Sequence, residues 1–251
     1  LAQEQLLNMF KKVHFCMGHQ DVRFYLNGLL LELVNQELRF VSTDSHRLAF
    51  AKVLLTQPSE INNLDKNSSD KAAINLILPR KSVVELMKLL DQVPDPVTIL
   101  FSDNHIQFKL PHITFTTKLL EGEYPDYNDI IPEKGSSELV AYNESFKHAL
   151  NSVSILANDQ INGVLFDLKN NNEQMVLQTY NTAKEIAHTT LPVDFKGNDI
   201  KIGFNIRYLN DILGVLNSDQ FLLSLEDDED SVLVQQPEDN SCFYVLMPIR
   251  L

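Results

Sequence analysis

Asp44 and His46 are the residues in this 251-residue chain that first suggest acid–base chemistry, because a carboxylate two positions from an imidazole can orient it. Catalysis would also need a nucleophile or a metal, and no Gly-x-Ser-x-Gly, His-Glu-x-x-His or phosphate-loop pattern occurs. Residues two apart on a strand share a face, so the pair also fits a capped turn entering a strand. His14 and Cys16 sit in a helical stripe at a spacing that puts them on different faces, so core or groove positions are expected rather than a dyad. The run Glu226-Asp227-Asp228-Glu229-Asp230 offers carboxylate oxygens to a cation. It lacks the glycine and the alternation of an EF-hand loop, and a solvated hairpin is the expectation. Lys11, Lys12, Arg80, Lys81 and Lys88 could meet phosphate, although Glu4, Glu85 and Asp91 dilute them and a solvated helix face explains them equally well.

The elements that must position these residues come in two similar sets. Leu6, Leu7, Phe10, Val13, His14 and Met17 recur at helical spacing, and strand-like runs follow at 25–31, 37–41 and 47–55. In the second half Phe146, Ala149, Leu150, Val153 and Leu156 form a matching stripe, followed by runs at 161–166, 174–179 and 185–191. An Asn-Gly pair recurs as Asn27-Gly28 and Asn162-Gly163. Pro79 then opens a helix in the first half, and Asn205 is placed to cap its counterpart in the second. Three strand-like runs follow each helix, at 97–101, 106–110 and 113–119, and at 221–225, 232–235 and 242–247. Each half therefore reads helix, three strands, a lead-in strand, helix, three strands. The fold class is α+β, with two tandem domains of two helices packed on antiparallel sheets. The polar stretch at 132–137 marks the boundary, giving domains 1–133 and 134–251.

Composition narrows function by exclusion. No apolar run approaches the roughly 20 residues that span a bilayer, so no membrane association is expected. The first residues lack the pattern of a secretory leader, and a start at Leu1 fits a fragment or a processed product. Two cysteines, Cys16 and Cys242, suit free thiols in a reducing cytoplasm. A net charge of −13 disfavours nucleic acid unless local basic surface exists. The basic residues lean to the first half, which carries 13 of them against 17 acidic ones through Glu133, while the second carries 8 against 17.

Three separated segments carry a resemblance. They are Ser42-Thr43-Asp44-Ser45-His46-Arg47-Leu48-Ala49, Gly122-Glu123-Tyr124-Pro125-Asp126-Tyr127 and the tail Val245-Leu246-Met247-Pro248-Ile249-Arg250-Leu251. Together they resemble the bacterial sliding clamp, the β subunit of DNA polymerase III, across its second and third domains of three. The resemblance implies a DNA-clamp fold with helices lining a hole and sheets forming the outer wall. It implies a non-catalytic processivity factor, cytoplasmic and nucleoid-associated, that needs no cofactor and no metal. Its implied partners are duplex DNA, held through the backbone without sequence preference, and the polymerase III catalytic subunit, the clamp loader and other clamp-binding proteins, held through short linear motifs. The full-length family member closes as a head-to-tail homodimer. This chain, lacking the first domain, is expected to be mostly monomeric and not to close a ring.

By the same resemblance a peptide pocket at the seam of the two domains is formed by Leu26, Thr43, His46, Arg47, Leu48, Pro125, Ile130, Asn205, Tyr208, Ser231, Val245, Met247, Pro248, Ile249, Arg250 and Leu251. Their mixture of apolar, rigid and hydrogen-bonding groups suits a short peptide. DNA contact is implied for Lys11, Lys12, Gln20, Arg23, Phe24, Tyr25, Arg80 and Lys81. The second domain's helices offer only Lys147 and Arg207 and are expected to hold DNA more weakly. Three departures stand out. Ser45 occupies a usual glycine position, which implies a turn that needs no positive φ. Asp129 occupies a position where a basic residue can occur, and Ile249 replaces a commoner methionine. The alternatives are a clamp-like accessory protein with another partner and a hydrolase using Asp44 and His46.

Overall fold

Helix α1 (Gln3–Val13) shows how the apolar spacing becomes packing: Leu6, Leu7, Phe10 and Val13 recur at steps of three and four, and all are buried. The computed structural model describes residues 1–55, 74–133, 135–157, 162–170 and 173–250. Ala2, the N-cap of α1, has no side-chain acceptor. The amides of Gln3 and Glu4 instead donate to the carbonyls of Asp95 and Val93, and Gln5 Oε1 accepts from the Ala2 amide. Helix-end donors that would be orphaned are thereby satisfied. The helix stops at Val13, short of the stripe read to Met17, because a 3-10 turn, His14–Cys16, tightens the chain there. His14 Nδ1 lies 3.2 Å from the Phe10 carbonyl, and Cys16 is buried, so each has a structural place.

The described residues divide into two compact units, Leu1–Pro125 and Asp126–Leu251. This division falls ahead of the boundary expected at 133, because the 3-10 turn Tyr127–Ile130, with Tyr127 buried, groups with the second unit. After α1 the first unit contains β1 (Gly28–Val34), β2 (Glu37–Thr43), β3 (Arg47–Leu54), β4 (Ile74–Pro79), α2 (Arg80–Leu89), β5 (Thr98–Phe101), β6 (His105–Lys109) and β7 (Thr114–Lys118). They form two antiparallel sheets in the orders β3-β2-β1-β4 and β5-β6-β7.

The second unit repeats the plan with α3 (Asn143–Ser154), β9 (Gly163–Leu168), β10 (Gln174–Tyr180), β11 (Ile186–Pro192), β13 (Ile200–Asn205), α4 (Ile206–Val215), β14 (Gln220–Leu225), β15 (Val232–Gln236) and β16 (Asp239–Leu246). It adds β8 (Ser137–Tyr142) and β12 (Asp194–Lys196), which extend one sheet to the order β12-β8-β14-β15-β16. The other sheet runs β11-β10-β9-β13. All of these pairings are antiparallel, as the α+β reading requires.

One expected strand begins late. The run read at 25–31 starts with a 3-10 turn, Phe24–Asn27, and enters β1 only at Gly28. The Asn27 side chain causes this: its Oδ1 accepts from the Asp21 amide at 2.9 Å and its Nδ2 donates to the Asp21 carbonyl at 2.8 Å. Such local bonds compete with a strand ladder. Gly28 itself lies so close to β4 that an added Cβ would stand 2.6 Å from the Leu78 carbonyl oxygen.

Two features recur at equivalent places in the two units. The Ser42 hydroxyl on β2 donates to the Val13 carbonyl at the end of α1, and the Thr179 hydroxyl on β10 donates to the Val153 carbonyl at the end of α3. Both hydroxyls are buried, so each satisfies a helix-end carbonyl out of reach of water. Aromatic packing fills the cores. Phe10 meets Phe40 edge to face in the first unit, and Phe146, Phe166, Phe204 and Phe221 form a chain of edge contacts 4.9 to 5.5 Å apart in the second. On one sheet face Arg39 bridges Glu32 and Glu37 while Lys52 reaches Glu37. Burial works to raise the Glu37 pKa, but the hydrogen bonds from Arg39 and Lys52 outweigh it and the net shift is downward.

Candidate functional site

In the first unit the informative geometry is the turn between β2 and β3. Asp44 Oδ1 accepts from the backbone amides of His46 and Arg47, each at 3.1 Å, and Oδ2 accepts from Arg47 Nε at 3.0 Å. This is the capped turn rather than a catalytic pair, because both carboxylate oxygens are engaged in shaping the turn. Arg47 also donates from Nη2 to the Phe15 carbonyl at 2.9 Å and lies over the Phe15 ring, 5.4 Å from its centre. The guanidinium is therefore nearly enclosed and acts as an internal tie. Thr43 is buried; its Oγ1 donates to the Arg47 carbonyl and accepts from the Ser45 amide. Leu26 and Leu48 are fully buried core residues, while His46 is exposed and Pro125 is half-buried.

Ser45 corrects an expectation. Its φ is 74°, so the turn does adopt the left-handed conformation that glycine takes without strain. For a residue with a side chain that conformation costs about 1–2 kcal/mol, partly offset by the about 0.5–1 kcal/mol that glycine loses in chain entropy. Ser45→Gly is accordingly expected to raise stability by about 0.5–1 kcal/mol, seen as a higher urea midpoint. An unchanged or lower midpoint would mean that serine costs no more at this φ than glycine loses in chain entropy.

In the second unit the tail and the start of α4 are held locally. Asn205 caps α4 as expected, its Oδ1 accepting from the amides of Arg207 and Tyr208 at 2.9 and 3.3 Å. The Ile249 amide donates to the Gly203 carbonyl on β13 at 2.8 Å, which ties the tail beside that cap. Val245 is buried within β16. Met247 is 44% exposed and Ile130 38% exposed; Pro248 and Ile249 are half-buried, as are Tyr208 and Ser231. Arg250 pairs with Glu229 of the acidic run at 2.7 Å, on the exposed surface. That run forms the expected hairpin connection between β14 and β15, with Asp227 Oδ1 accepting from the amides of Glu229 and Asp230. Leu251 lies outside the described residues.

The residues marked for DNA fall on two elements and one loop. Lys11 and Lys12 occupy the last turn of α1, where positive charge also suits the helix dipole. Lys81 is exposed in the first turn of α2, whereas Arg80 is drawn inward and donates from Nη1 to the Met17 carbonyl at 2.8 Å. Gln20 and Arg23 are exposed and Tyr25 is half-buried. Phe24 is 72% exposed, and Val22, which the sequence reading passed over, is 86% exposed beside it. Arg23 forks onto Asp21, through Nε at 3.0 Å and Nη2 at 2.8 Å. The Arg23 side-chain hydrogen bond is the main cause holding the Asp21 carboxyl down at about 2.

A separate groove of about 730 Å³ in the second unit is lined by Val140, Tyr142, Glu173, Pro192, Val193, Asp194, Phe195, Lys196 and Gln220, and no residue expected from sequence to bind a partner lines it. Among the described residues no cluster of His, Cys, Asp and Glu could hold a metal ion, and no helix is long and apolar enough to cross a membrane.

Comparison with known proteins follows the two units. Residues 1–126 match the DNA polymerase III beta subunit, central domain, and residues 128–250 match its C-terminal domain. The beta sliding clamp of Vibrio cholerae is 38% identical over 251 residues, covering all of this chain and 65% of that protein. The beta sliding clamp of Escherichia coli K12 is 34% identical over the same length and share. Among solved structures, the DNA polymerase sliding clamp of Pseudomonas aeruginosa aligns with a TM-score of 0.92 at 34% identity, covering 100% of this chain and 65% of that one. The Bacillus subtilis clamp aligns at 0.90 with 25% identity, covering 100% and 63%. The chain thus spans 65% of the curated relatives it matches. With both halves matched in order and the fold shared throughout, the chain belongs to the DNA polymerase III beta subunit family and carries its central and C-terminal domains.

Proposed function

We propose that this chain serves in a replicative sliding clamp, a non-catalytic processivity factor that surrounds duplex DNA as a head-to-tail dimer and tethers a DNA polymerase and other partners by their short peptide motifs. The observation that carries the reading is the match of the whole chain, in sequence and fold, to proteins named as sliding clamps. Processivity in this reading comes from topology and from effective concentration. A polymerase that lets go of the primer end remains tethered and rebinds intramolecularly. The work belongs to DNA in the bacterial cytoplasm.

Peptide partners are proposed to bind at the residues marked above. Exposed Met247 supports this, as does a tail tied at the Ile249 amide while that side chain stays open to solvent. Met247→Ala is expected to weaken a short peptide with apolar anchors by on the order of 1 kcal/mol or more, with the fold unchanged by circular dichroism. Equal calorimetric affinities for wild type and variant would place the peptide elsewhere.

DNA is proposed to meet Lys11, Lys12 and Lys81 through phosphates only, with Phe24 and its neighbours touching sugar or base. Binding by this chain is expected to be weak and to fall steeply with salt, since few cations are offered against a net charge of −13. Replacing the three lysines with alanine is expected to flatten the salt dependence and to leave peptide affinity as it was. A salt slope unaffected by the triple substitution would contradict the assignment.

A further inference from the structure

Tyr124 lies next to the end of the first unit, within the segment Gly122-Glu123-Tyr124-Pro125-Asp126-Tyr127. Its hydroxyl oxygen accepts a hydrogen bond at 3.1 Å from the backbone N–H of Thr43, a residue 81 positions away. Thr43 ends β2 and is buried, so water is not on hand to replace a lost partner. Thr43 also starts the turn: its side chain donates to the Arg47 carbonyl at 2.7 Å and accepts from the Ser45 amide at 3.1 Å.

Those bonds tie the turn to itself, whereas the Tyr124 bond ties it to a distant segment. The turn needs such a hold, because Ser45 sits at a φ of 74° and a strained residue persists only where its surroundings overdetermine it. Burial pushes the Tyr124 hydroxyl up in pKa against a smaller lowering pull from the Thr43 amide, so the phenol is neutral at working pH. Replacing it with phenylalanine therefore removes one hydrogen bond and no charge, and it keeps the ring.

We propose that Tyr124 is a positioning residue for partner binding: through the Thr43 amide it fixes the turn that carries His46 and Arg47, and so sets peptide affinity without touching the peptide. This rests on the reading that peptides bind at those residues. Losing the bond leaves a buried donor unpaired or lets the turn relax, and either result spoils a preformed surface.

The experiment titrates one apolar-anchored peptide into wild type, Tyr124→Phe and Met247→Ala, with amide hydrogen exchange measured on the first two. Tyr124→Phe is expected to lose about fivefold to tenfold in affinity. Exchange is expected to speed up at the amides of Ser45, His46 and Arg47, while Phe40 and Phe50, paired within β2 and β3, keep their protection. A merely structural role would lower the unfolding midpoint or raise exchange throughout the unit, with affinity of the folded protein unchanged; that result overturns the proposal. If Met247→Ala weakens binding but Tyr124→Phe binds like wild type, the proposal falls and the peptide site stands. If wild type fails to bind, or Met247→Ala binds as wild type does, both fall.

Discussion

Phe166→Ala is expected to destabilise the chain by about 3–5 kcal/mol, the range for emptying a fully buried aromatic position. Phe166 is completely buried on β9 and joins two neighbours: Phe146 of α3 at 5.5 Å and Phe204 of β13 at 4.9 Å, both edge to face. Removing the ring leaves a cavity where a helix and two strands meet, and the edge contacts go with it. The chain has no tryptophan, so urea unfolding followed by circular dichroism is the suitable measurement. Phe166→Leu is expected to cost much less because it refills most of the volume. A cost for the alanine variant below about 1 kcal/mol would mean that the aromatic chain is not the centre of that core.

Arg47→Met has the next largest expected effect, a loss of about 2–3 kcal/mol, less than for a fully enclosed pair because Asp44 retains some contact with solvent. The substitution keeps much of the aliphatic length but removes the fork that joins Asp44 to the Phe15 carbonyl and the stacking on the Phe15 ring. Asp44 is then left half-buried with only backbone amides as partners. Arg47→Lys is expected to fall between wild type and methionine, since an ammonium cannot serve both acceptors at once. Peptide affinity is expected to fall in the methionine variant even under conditions where it is fully folded. If stability were unchanged, the bonds of Arg47 to Asp44 and to the Phe15 carbonyl would not be what holds the turn.

The α+β plan was legible because helical and strand periodicities alternate in the same order twice, and Asn205 announced its capping role in advance. Strands β8 and β12 were not. β8 begins directly after a Pro, Gly and Ser stretch that reads as a linker, and β12 has three residues, too few to show a period. The turn at Thr43 is legible as a turn in the sequence, but its left-handed φ at Ser45 is not. Serine at position 45 argues against a positive φ on intrinsic preference, and the local bond to Thr43 Oγ1 together with the distant bond between Thr43 and Tyr124 overrides that preference.

The site was harder to read than the fold. Arg47 is marked by sequence as a surface donor, but its partner Phe15 is 32 residues away and reachable only once α1 has packed on the sheet. Tyr124 presents the same difficulty at greater separation. Val22 and Phe24 escape hydropathy reasoning for a different reason: one or two apolar residues in a polar loop carry no periodic signal, and only the Asp21–Asn27 clamp displays them.

The proposed binding of partners' peptides, at the turn after β2 and at the tail after β16, has a direct test. The direct measurement is an NMR footprint, the backbone amide shifts of the isotopically labelled chain recorded as an apolar-anchored peptide is added. The largest changes are expected on Thr43, His46 and Arg47, on Tyr208 and on residues 245–250, with little change at Phe24. Changes centred instead on Tyr142 and Phe195, beside the second-unit groove, or changes absent at peptide concentrations that saturate calorimetric binding, would contradict it.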